Sequence, residues 1–170
     1  MKSMVEKTRF IRGFTLVELM VAIALLAILL GLAAPSFSDW IARTKIQSAA
    51  NSISVALATA RSEAVKRGRD VSVCASTDGS TCATGSNWAT GWLIYATAGT
   101  PIKVFDAPSG ALSVAGDGTR ITFRVTFMST GMTTLSGPGT ITVCKPGLAS
   151  KVIEVAVSGR TRVASGSVCP

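Results

Sequence analysis

Two arginines near the C-terminus, Arg160 and Arg162, are separated by one residue and preceded by Gly159. Residues two apart in an extended chain point to the same side, so both guanidinium groups can face one partner. Arginine keeps its charge and can donate two parallel hydrogen bonds to a phosphate group. Glycine allows the backbone to turn and to approach a partner closely. The pattern predicts a phosphate-binding site that contains Gly159, Arg160 and Arg162.

Other cations are weaker candidates for this site, and the net charge of +8 permits an anionic partner without requiring one. Aromatic residues do not alternate with the basic ones, so base stacking is not indicated. Contacts to phosphate groups would dominate binding, which would therefore weaken with added salt and would not depend on the base sequence of a partner. The alternative is that both arginines lie on a solvated tail. Five cations could join the site only if the fold brought them to the same surface: Lys103, Arg120, Arg124, Lys145 and Lys151.

Residues suited to catalysis are scarce in this sequence. The chain has no histidine, which excludes a Ser-His-Asp or Cys-His pair and removes the commonest metal ligand. None of its four cysteines forms a C-x-x-C pair, so no zinc site is predicted. The acidic residues are scattered along the chain. We therefore expect neither an enzyme nor a protein with a metal or cofactor.

An apolar segment near the N-terminus, Phe14 to Ala34, has a single charged residue, Glu18. It is long enough to span a bilayer as a helix, and the short basic segment before it predicts a cytoplasmic N-terminus. A cleaved signal peptide is disfavoured because the segment is long and lacks a clean A-x-A site at its end. A carboxylate inside a bilayer costs about 2.5–3.5 kcal/mol, so Glu18 is expected to have a function.

The cysteines bear on the compartment of the C-terminal part of the chain. If that part lies outside the cytoplasm, disulfides are expected, and four cysteines allow three pairings. We favour Cys74–Cys82, which closes a short loop, and Cys144–Cys169, which fixes the tail. The alternative is buried free thiols.

A helical pattern continues beyond the apolar segment. Pro35 is expected to kink or break the helix, because proline lacks an N–H and clashes with the preceding turn. Gly68 is a plausible helix end. Between them, apolar residues recur at spacings of three and four and predict one buried helix face: Ile46, Ala49, Ala50, Ile53, Leu57, Ala60 and Ala64.

The residues after Gly68 alternate with a period of two and contain turn-rich clusters, which predicts short strands. The predicted fold class is α+β, with one long N-terminal helix packed on an antiparallel β-sheet head. The predicted segments are a leader (1–13), a transmembrane half of the helix (14–35), its amphipathic continuation (36–68) and a β-rich head (69–170). Strands are predicted at 71–74, 92–95, 102–105, 121–127, 140–144 and 152–157.

The stretch from Gly13 to Glu18, GFTLVE, resembles the processing site of type IV prepilins and type II secretion pseudopilins. The resemblance implies that a prepilin peptidase cuts between Gly13 and Phe14 and methylates the new Phe14 amine. It also implies a place in the inner membrane, with the head in the periplasm. Among packed apolar helices, pairing of Glu18 with the Phe14 amine of a neighbouring subunit would compensate both charges.

The region from Ala60 to Val65, with Gly68, Cys74, Trp88 and Gly91-Trp92, is similar to the GspH/FimT family of minor pilins and type II secretion pseudopilins. The resemblance implies a type IV minor pilin that assembles with other pilins. The alternative is an H-type pseudopilin without a nucleic-acid role. Trp88 and Trp92 are expected in the core, and Arg61 and Glu63 on a solvated helix face.

The C-terminal pattern of Gly159, Arg160 and Arg162 resembles the Gly-Arg-x-Arg tail of FimT-type minor pilins that bind DNA during natural transformation. On this resemblance the anionic partner would be double-stranded DNA.

Overall fold

A computed structural model describes residues 13–96 and 101–170, with the side chains of 32–36 excepted. Most of the predicted leader, residues 1–12, therefore lies outside the described residues. The described residues form one long helix followed by eight strands. In chain order these are α1 (Leu16–Arg67), β1 (Val71–Ala75), β2 (Trp92–Ala96), β3 (Pro101–Phe105), β4 (Ser113–Gly116), β5 (Arg124–Phe127), β6 (Gly139–Cys144), β7 (Ala149–Val155) and β8 (Thr161–Val168).

Both ends of α1 carry recognisable capping residues. At the start, the Thr15 hydroxyl accepts a hydrogen bond from the Glu18 backbone N–H at 3.2 Å, as in an N-cap. At the end, Gly68 has a φ of 61°. The Arg69 N–H bonds to the Ala64 carbonyl at 3.3 Å, which is the pattern of a glycine-terminated helix. The predicted helix end at Gly68 is therefore confirmed.

The helix continues through Pro35 without interruption. The prediction that Pro35 breaks the helix is wrong, whereas a bend at this residue stays a prediction. Proline removes one N–H from the backbone ladder, and a helix of 52 residues retains the bonds on either side. Among the described residues, no helix is both long enough and apolar enough to cross a membrane.

The chain divides into two compact units, one ending at Ser38 and one comprising Asp39–Pro170. In the N-terminal unit, most apolar side chains between Phe14 and Leu30 are exposed. The second unit contains the remainder of α1 and all eight strands. The two units differ in burial: most described apolar side chains of the first unit are exposed, whereas the second unit has a buried apolar core.

The strands of the second unit form two antiparallel sheets, each with four strands. The first has the order β3-β2-β1-β5, and the second has the order β4-β6-β7-β8. The predicted α+β class is confirmed, but the head contains two sheets where one was expected. Six strands were expected near the observed β1, β2, β3, β5, β6 and β7, and β5 begins at Arg124 rather than at 121. The strands β4 and β8 were not expected.

The core of the second unit lies between α1 and the sheets. Every residue of the predicted helical stripe is buried, from Ile46 to Ala64. Trp88 and Trp92 are also buried, as predicted. Four members of the stripe are alanines. Their small side chains allow the helix backbone to lie close to the sheet residues that cover it.

Both favoured disulfides are present in the structure. Cys74 is bonded to Cys82, and Cys144 is bonded to Cys169. The first joins β1 to the following loop. The second joins the end of β6 to the residue after β8, so it fixes the C-terminal strand to its sheet. This arrangement explains why the tail is an ordered strand rather than a loose end.

Candidate phosphate-binding site

The predicted site forms the turn between β7 and β8. The Gly159 N–H donates to the Ala156 carbonyl at 2.9 Å, and the Ala156 N–H donates to the Arg160 carbonyl at 2.9 Å. These two bonds close the hairpin immediately before β8. Arg160 is therefore the last residue before the strand, and Arg162 is its second residue.

A second turn, at residues 128–131, holds this hairpin in place through Thr133. The Thr133 N–H donates to the Val157 carbonyl at 2.8 Å, and its hydroxyl also lies within hydrogen-bonding distance of that carbonyl. Thr133 is buried, so water cannot replace these bonds easily. The hairpin that presents the arginines is thus held by interactions with a separate segment.

Gly159 has a φ of 78° and is buried. A Cβ atom added at this position would lie 2.0 Å from the Gly131 carbonyl oxygen, which no side chain could tolerate without movement of the backbone. The turn predicted at Gly159 is present. The close approach is to Gly131 of the same protein, and the turn leads directly into Arg160; contact of Gly159 with a partner stays a prediction.

Arg160 and Arg162 are both exposed and line one groove, which we call the tail groove. Pro138, Thr140 and Glu154 also line it. Glu154 on β7 is directly opposite Arg162 on β8 in the strand register. The structure therefore brings the two predicted arginines together, as expected, and adds a carboxylate that sequence reasoning did not associate with them.

A second groove, which we call the helix groove, shares Arg160 with the tail groove and reaches α1. It is lined by Arg61, Ser62, Val65 and Lys66 from the helix, and by residues 159–161 from the hairpin. Arg160 lines both grooves. The sequence analysis placed Arg61 on a solvated helix face and did not predict it as part of this site. Arg61 and the C-terminal hairpin are far apart in sequence, and only the fold brings them to one groove.

Glu63, close to the helix groove, is engaged with cations of its own helix. Arg67 donates to Glu63 Oε2 at 2.7 Å, and Lys66 Nζ lies 3.8 Å from Oε1. The hydrogen bond from Arg67, against some desolvation, lowers the pKa of Glu63 below its ordinary value. Glu63 was expected on a solvated helix face; it is partly buried and paired with two cations of its own helix.

The five weaker candidates do not line either groove. Lys103 lies on β3, with its Nζ 4.9 Å from the centre of the Phe105 ring. Arg124 begins β5 and donates to the Tyr95 hydroxyl at 3.1 Å. The other three are in different parts of the head. Arg120 lies in a loop beside Gly137, and Lys145 follows β6. Lys151 on β7 donates a hydrogen bond to the Ser165 hydroxyl on β8.

The predicted assembly residues, Phe14 and Glu18, are exposed in the N-terminal unit. Glu18 lies in the first turn of α1, where a carboxylate interacts favourably with the helix dipole. In the part of the chain that the structure describes, no group of His, Cys, Asp or Glu side chains is arranged to hold a metal ion.

Comparison with known families and structures identifies the class of protein. The family model described as type II transport protein GspH matches residues 49–160, and the prokaryotic N-terminal methylation motif matches residues 8–34. The GspH match covers more than half of the chain, and the chain belongs to this family. The resemblance that the N-terminal and head motifs indicated is confirmed.

Individual relatives extend the comparison. Two fimbrial proteins of Pseudomonas aeruginosa are each 40% identical over 60 residues, which is 35% of this chain. The chain spans 38% of the length of these curated relatives. A crystal structure of the Pseudomonas aeruginosa type IV minor pilin FimU matches with a TM-score of 0.61 and 24% identity. The match covers 77% of this chain and 99% of that chain, and it shows a shared pilin fold.

Proposed function

We propose that this chain is a minor pilin of a type IV pilus system. A prepilin peptidase removes residues 1–13 and methylates the amine of Phe14. The segment 14–35 holds the subunit in the inner membrane until it joins the filament, and the head lies in the periplasm. Its partners are the peptidase, membrane lipid and other pilins. The protein acts by assembly rather than by catalysis.

The observation that carries this proposal is the exposed apolar surface between Phe14 and Leu30, in which Glu18 is the only charged residue. A continuous apolar surface of this kind needs lipid or other helices to cover it. Membership of the GspH family and the N-terminal methylation motif support a pilin-type subunit as the protein that would use it.

Glu18 is the residue that sets the register in this proposal. A lone carboxylate among packed apolar helices is unfavourable, and so is the lone ammonium that cleavage creates at Phe14. Pairing of the two across neighbouring subunits compensates both charges, and loss of one partner of a buried pair costs about 3–5 kcal/mol. A subunit displaced along the filament axis would lose this pairing.

The test uses Glu18→Gln, because glutamine preserves the hydrogen-bonding shape of the helix start and removes only the charge. We expect the variant to enter the membrane and be processed normally, but to be depleted from sheared filaments. Glu63→Gln makes the same change on the part of α1 that belongs to the head and should be incorporated normally. Normal incorporation of Glu18→Gln would rule out the charge pairing.

We further propose that the head binds double-stranded DNA through Arg160 and Arg162. These arginines share one exposed groove, and neither forms a salt bridge or side-chain hydrogen bond with another described residue. Binding at one head should be modest, and several copies in a filament would gain by avidity.

The DNA proposal is tested by titrating duplex DNA against the full chain in nonionic detergent at several salt concentrations. Arg160→Ala/Arg162→Ala should remove most of the salt-dependent binding. Arg43→Ala/Lys103→Ala removes the same amount of charge from exposed positions outside both grooves. This control variant should retain most of the DNA binding. If the unaltered chain does not bind at low salt, DNA is not its partner, and the pilin proposal stands without it.

A second candidate function is an H-type pseudopilin of type II protein secretion. The GspH family match favours it, since that family is described by its type II transport member. Deletion of the gene separates the two candidates. Loss of pili with normal protein secretion indicates the minor pilin. Loss of secretion with normal pili indicates the pseudopilin.

A further inference from the structure

The tail groove and the helix groove meet at Arg160, which lines both of them. Arg162 lies in the first and Arg61 in the second. The three arginines therefore occupy adjacent parts of one exposed surface, although Arg61 comes from the helix and the other two come from the hairpin. Three cations on one surface can contact more phosphates than a single pair can.

The side chain of Arg61 lies beside two glycines. Its Nε lies 3.2 Å from the place that a Cβ atom would take at Gly131, and 3.2 Å from the corresponding place at Gly159. The aliphatic part of the Arg61 side chain therefore lies over the backbone at Gly131 and Gly159, where neither residue has a side chain. Because the stem rests on this surface, less conformational freedom is lost when its guanidinium group binds an anion.

Charge is distributed unequally between the two grooves. The helix groove is lined by Arg61, Lys66 and Arg160, and no acidic residue lines it. Lys66 is partly neutralised, since Glu63 lies 3.8 Å from it. Arg61 forms no salt bridge or side-chain hydrogen bond with any other residue that the structure describes.

The tail groove differs because Glu154 faces it together with the two arginines. A carboxylate there weakens the attraction of Arg162 for phosphate, so Arg162 alone cannot account for strong anion binding at this end. The balance of charge favours the helix groove, with Arg160 shared between the two.

We propose that Arg61 is a phosphate-binding residue, and that a nucleic-acid backbone crosses both grooves with Arg160 between them. The inference rests on the proposed DNA binding and adds a contact from α1 that the C-terminal motif does not contain. Each phosphate neutralised by the protein contributes a slope of about −0.9 to the dependence of log K on log salt. Arg61 should therefore account for about one phosphate contact, which is a slope of about −0.9.

The experiment measures binding of the full chain, in nonionic detergent, to a short DNA duplex at four or more salt concentrations. Arg61→Met keeps an unbranched stem over the glycines and removes the charge. We expect weaker binding and a salt slope smaller by about 0.9, and Arg61→Lys should recover the slope. Arg43→Met, about 27 Å away along the same helix at about 1.5 Å per residue, should leave the slope unchanged.

The outcomes separate this inference from the proposed function. If Arg61→Met binds with unchanged affinity and slope while Arg160→Met/Arg162→Met loses binding, DNA binding stands and the contribution of Arg61 is overturned. If the unaltered chain does not bind at all, the DNA proposal fails and the inference fails with it. Circular dichroism confirms that each variant is folded, and Arg61→Gln replaces Arg61→Met if the latter is not.

Discussion

Glu154 lies directly opposite Arg162, where β7 pairs with β8. Both side chains are exposed and both face the tail groove. Opposite charges in facing positions of an antiparallel pair contribute about 0.2–1 kcal/mol. An arginine that the sequence alone assigns to phosphate therefore has a competing carboxylate within the fold.

Replacing this carboxylate should strengthen binding of DNA, because it removes a negative charge that faces the same groove as Arg162. We expect Glu154→Gln to raise the affinity by about 1.5- to 5-fold, which corresponds to the range of about 0.2–1 kcal/mol for such pairs. Fluorescence anisotropy with a labelled duplex measures the change. Asp106→Asn removes one negative charge from an exposed loop outside the tail groove. If it raised the affinity as much as Glu154→Gln does, the gain would come from net charge rather than from the groove.

Two glycines with nearly the same backbone conformation allow a matched test of the hairpin. Gly159 and Gly147 have φ values of 78° and 79°, but a Cβ atom meets the Gly131 carbonyl only at Gly159. At Gly147 nothing lies within 4 Å of that position.

Gly147→Ala should cost about 1 kcal/mol of unfolding free energy for its positive φ, and Gly159→Ala should cost more because two turns must separate. Urea denaturation followed by tryptophan fluorescence measures both. Gly159→Ala should also weaken DNA binding. Equal losses of stability would show that the contact with Gly131 is unimportant.

The two disulfides should differ in what they contribute to stability. Loop-closure entropy assigns about 3.5 kcal/mol to a separation of 25 residues and about 2.5 kcal/mol to one of 8. Replacing Cys144 and Cys169 by alanine should therefore cost more than replacing Cys74 and Cys82. It should also increase hydrogen exchange in β8, and unchanged protection of β8 would contradict its role in fixing the tail.

Asp117 should make the stability of the head depend on acidic pH. Burial alone would raise the pKa of Asp117, but four backbone N–H donors overcome it and lower the pKa from 3.8 to about 2. A carboxylate with a depressed pKa stabilises the fold above its ordinary pKa and loses this contribution as the pH falls from about 4 to about 2. The donors are the backbone N–H groups of Ile121, Thr140, Thr119 and Arg120.

Asp117→Ala should therefore lower the unfolding free energy at neutral pH by about 1–3 kcal/mol and by less near pH 2, where the native carboxylate is already partly protonated. Denaturation at pH 7, 4 and 2 measures the difference between the two proteins. Asp106→Ala provides the control at an exposed position. A loss from Asp117→Ala that does not change with pH would contradict the assignment.

The helix and the disulfides could be predicted because local rules govern them. The apolar spacing from Ile46 to Ala64 matches a helical period, and the buried face follows from it. Cys74 and Cys82 are close in sequence, so pairing them needs little knowledge of the fold. The break expected at Pro35 did not occur, because a rule for one residue does not include the stability of the surrounding helix.

The strands β4 and β8 could not be predicted, because neither shows the alternation that a half-buried strand requires. The segment of β8, TRVASGSV, is rich in small and polar residues, and the structure leaves much of it exposed. Its pairing with β7 and the Cys144–Cys169 bond specify the strand instead. These contacts are tertiary, and a window of local sequence does not contain them.

The same limitation applies to the candidate site. Arg160 and Arg162 could be chosen because they are close in sequence. Arg61 and Glu154 reach the same surface only through packing of α1 and the register of β7 with β8. The site is therefore larger than its motif, and the added residues carry charges of both signs.

The position of β8 at the edge of its sheet has a consequence for crowding of the heads. In the described part of the chain it pairs with β7 on one side and with no strand on the other, over eight residues. An open edge of this length can template pairing with another chain, and charged side chains oppose it. If two heads met with their β8 strands parallel, Arg160 and Arg162 of both copies would lie together. Their mutual repulsion would then oppose a merging of the two sheets, whatever else these arginines bind.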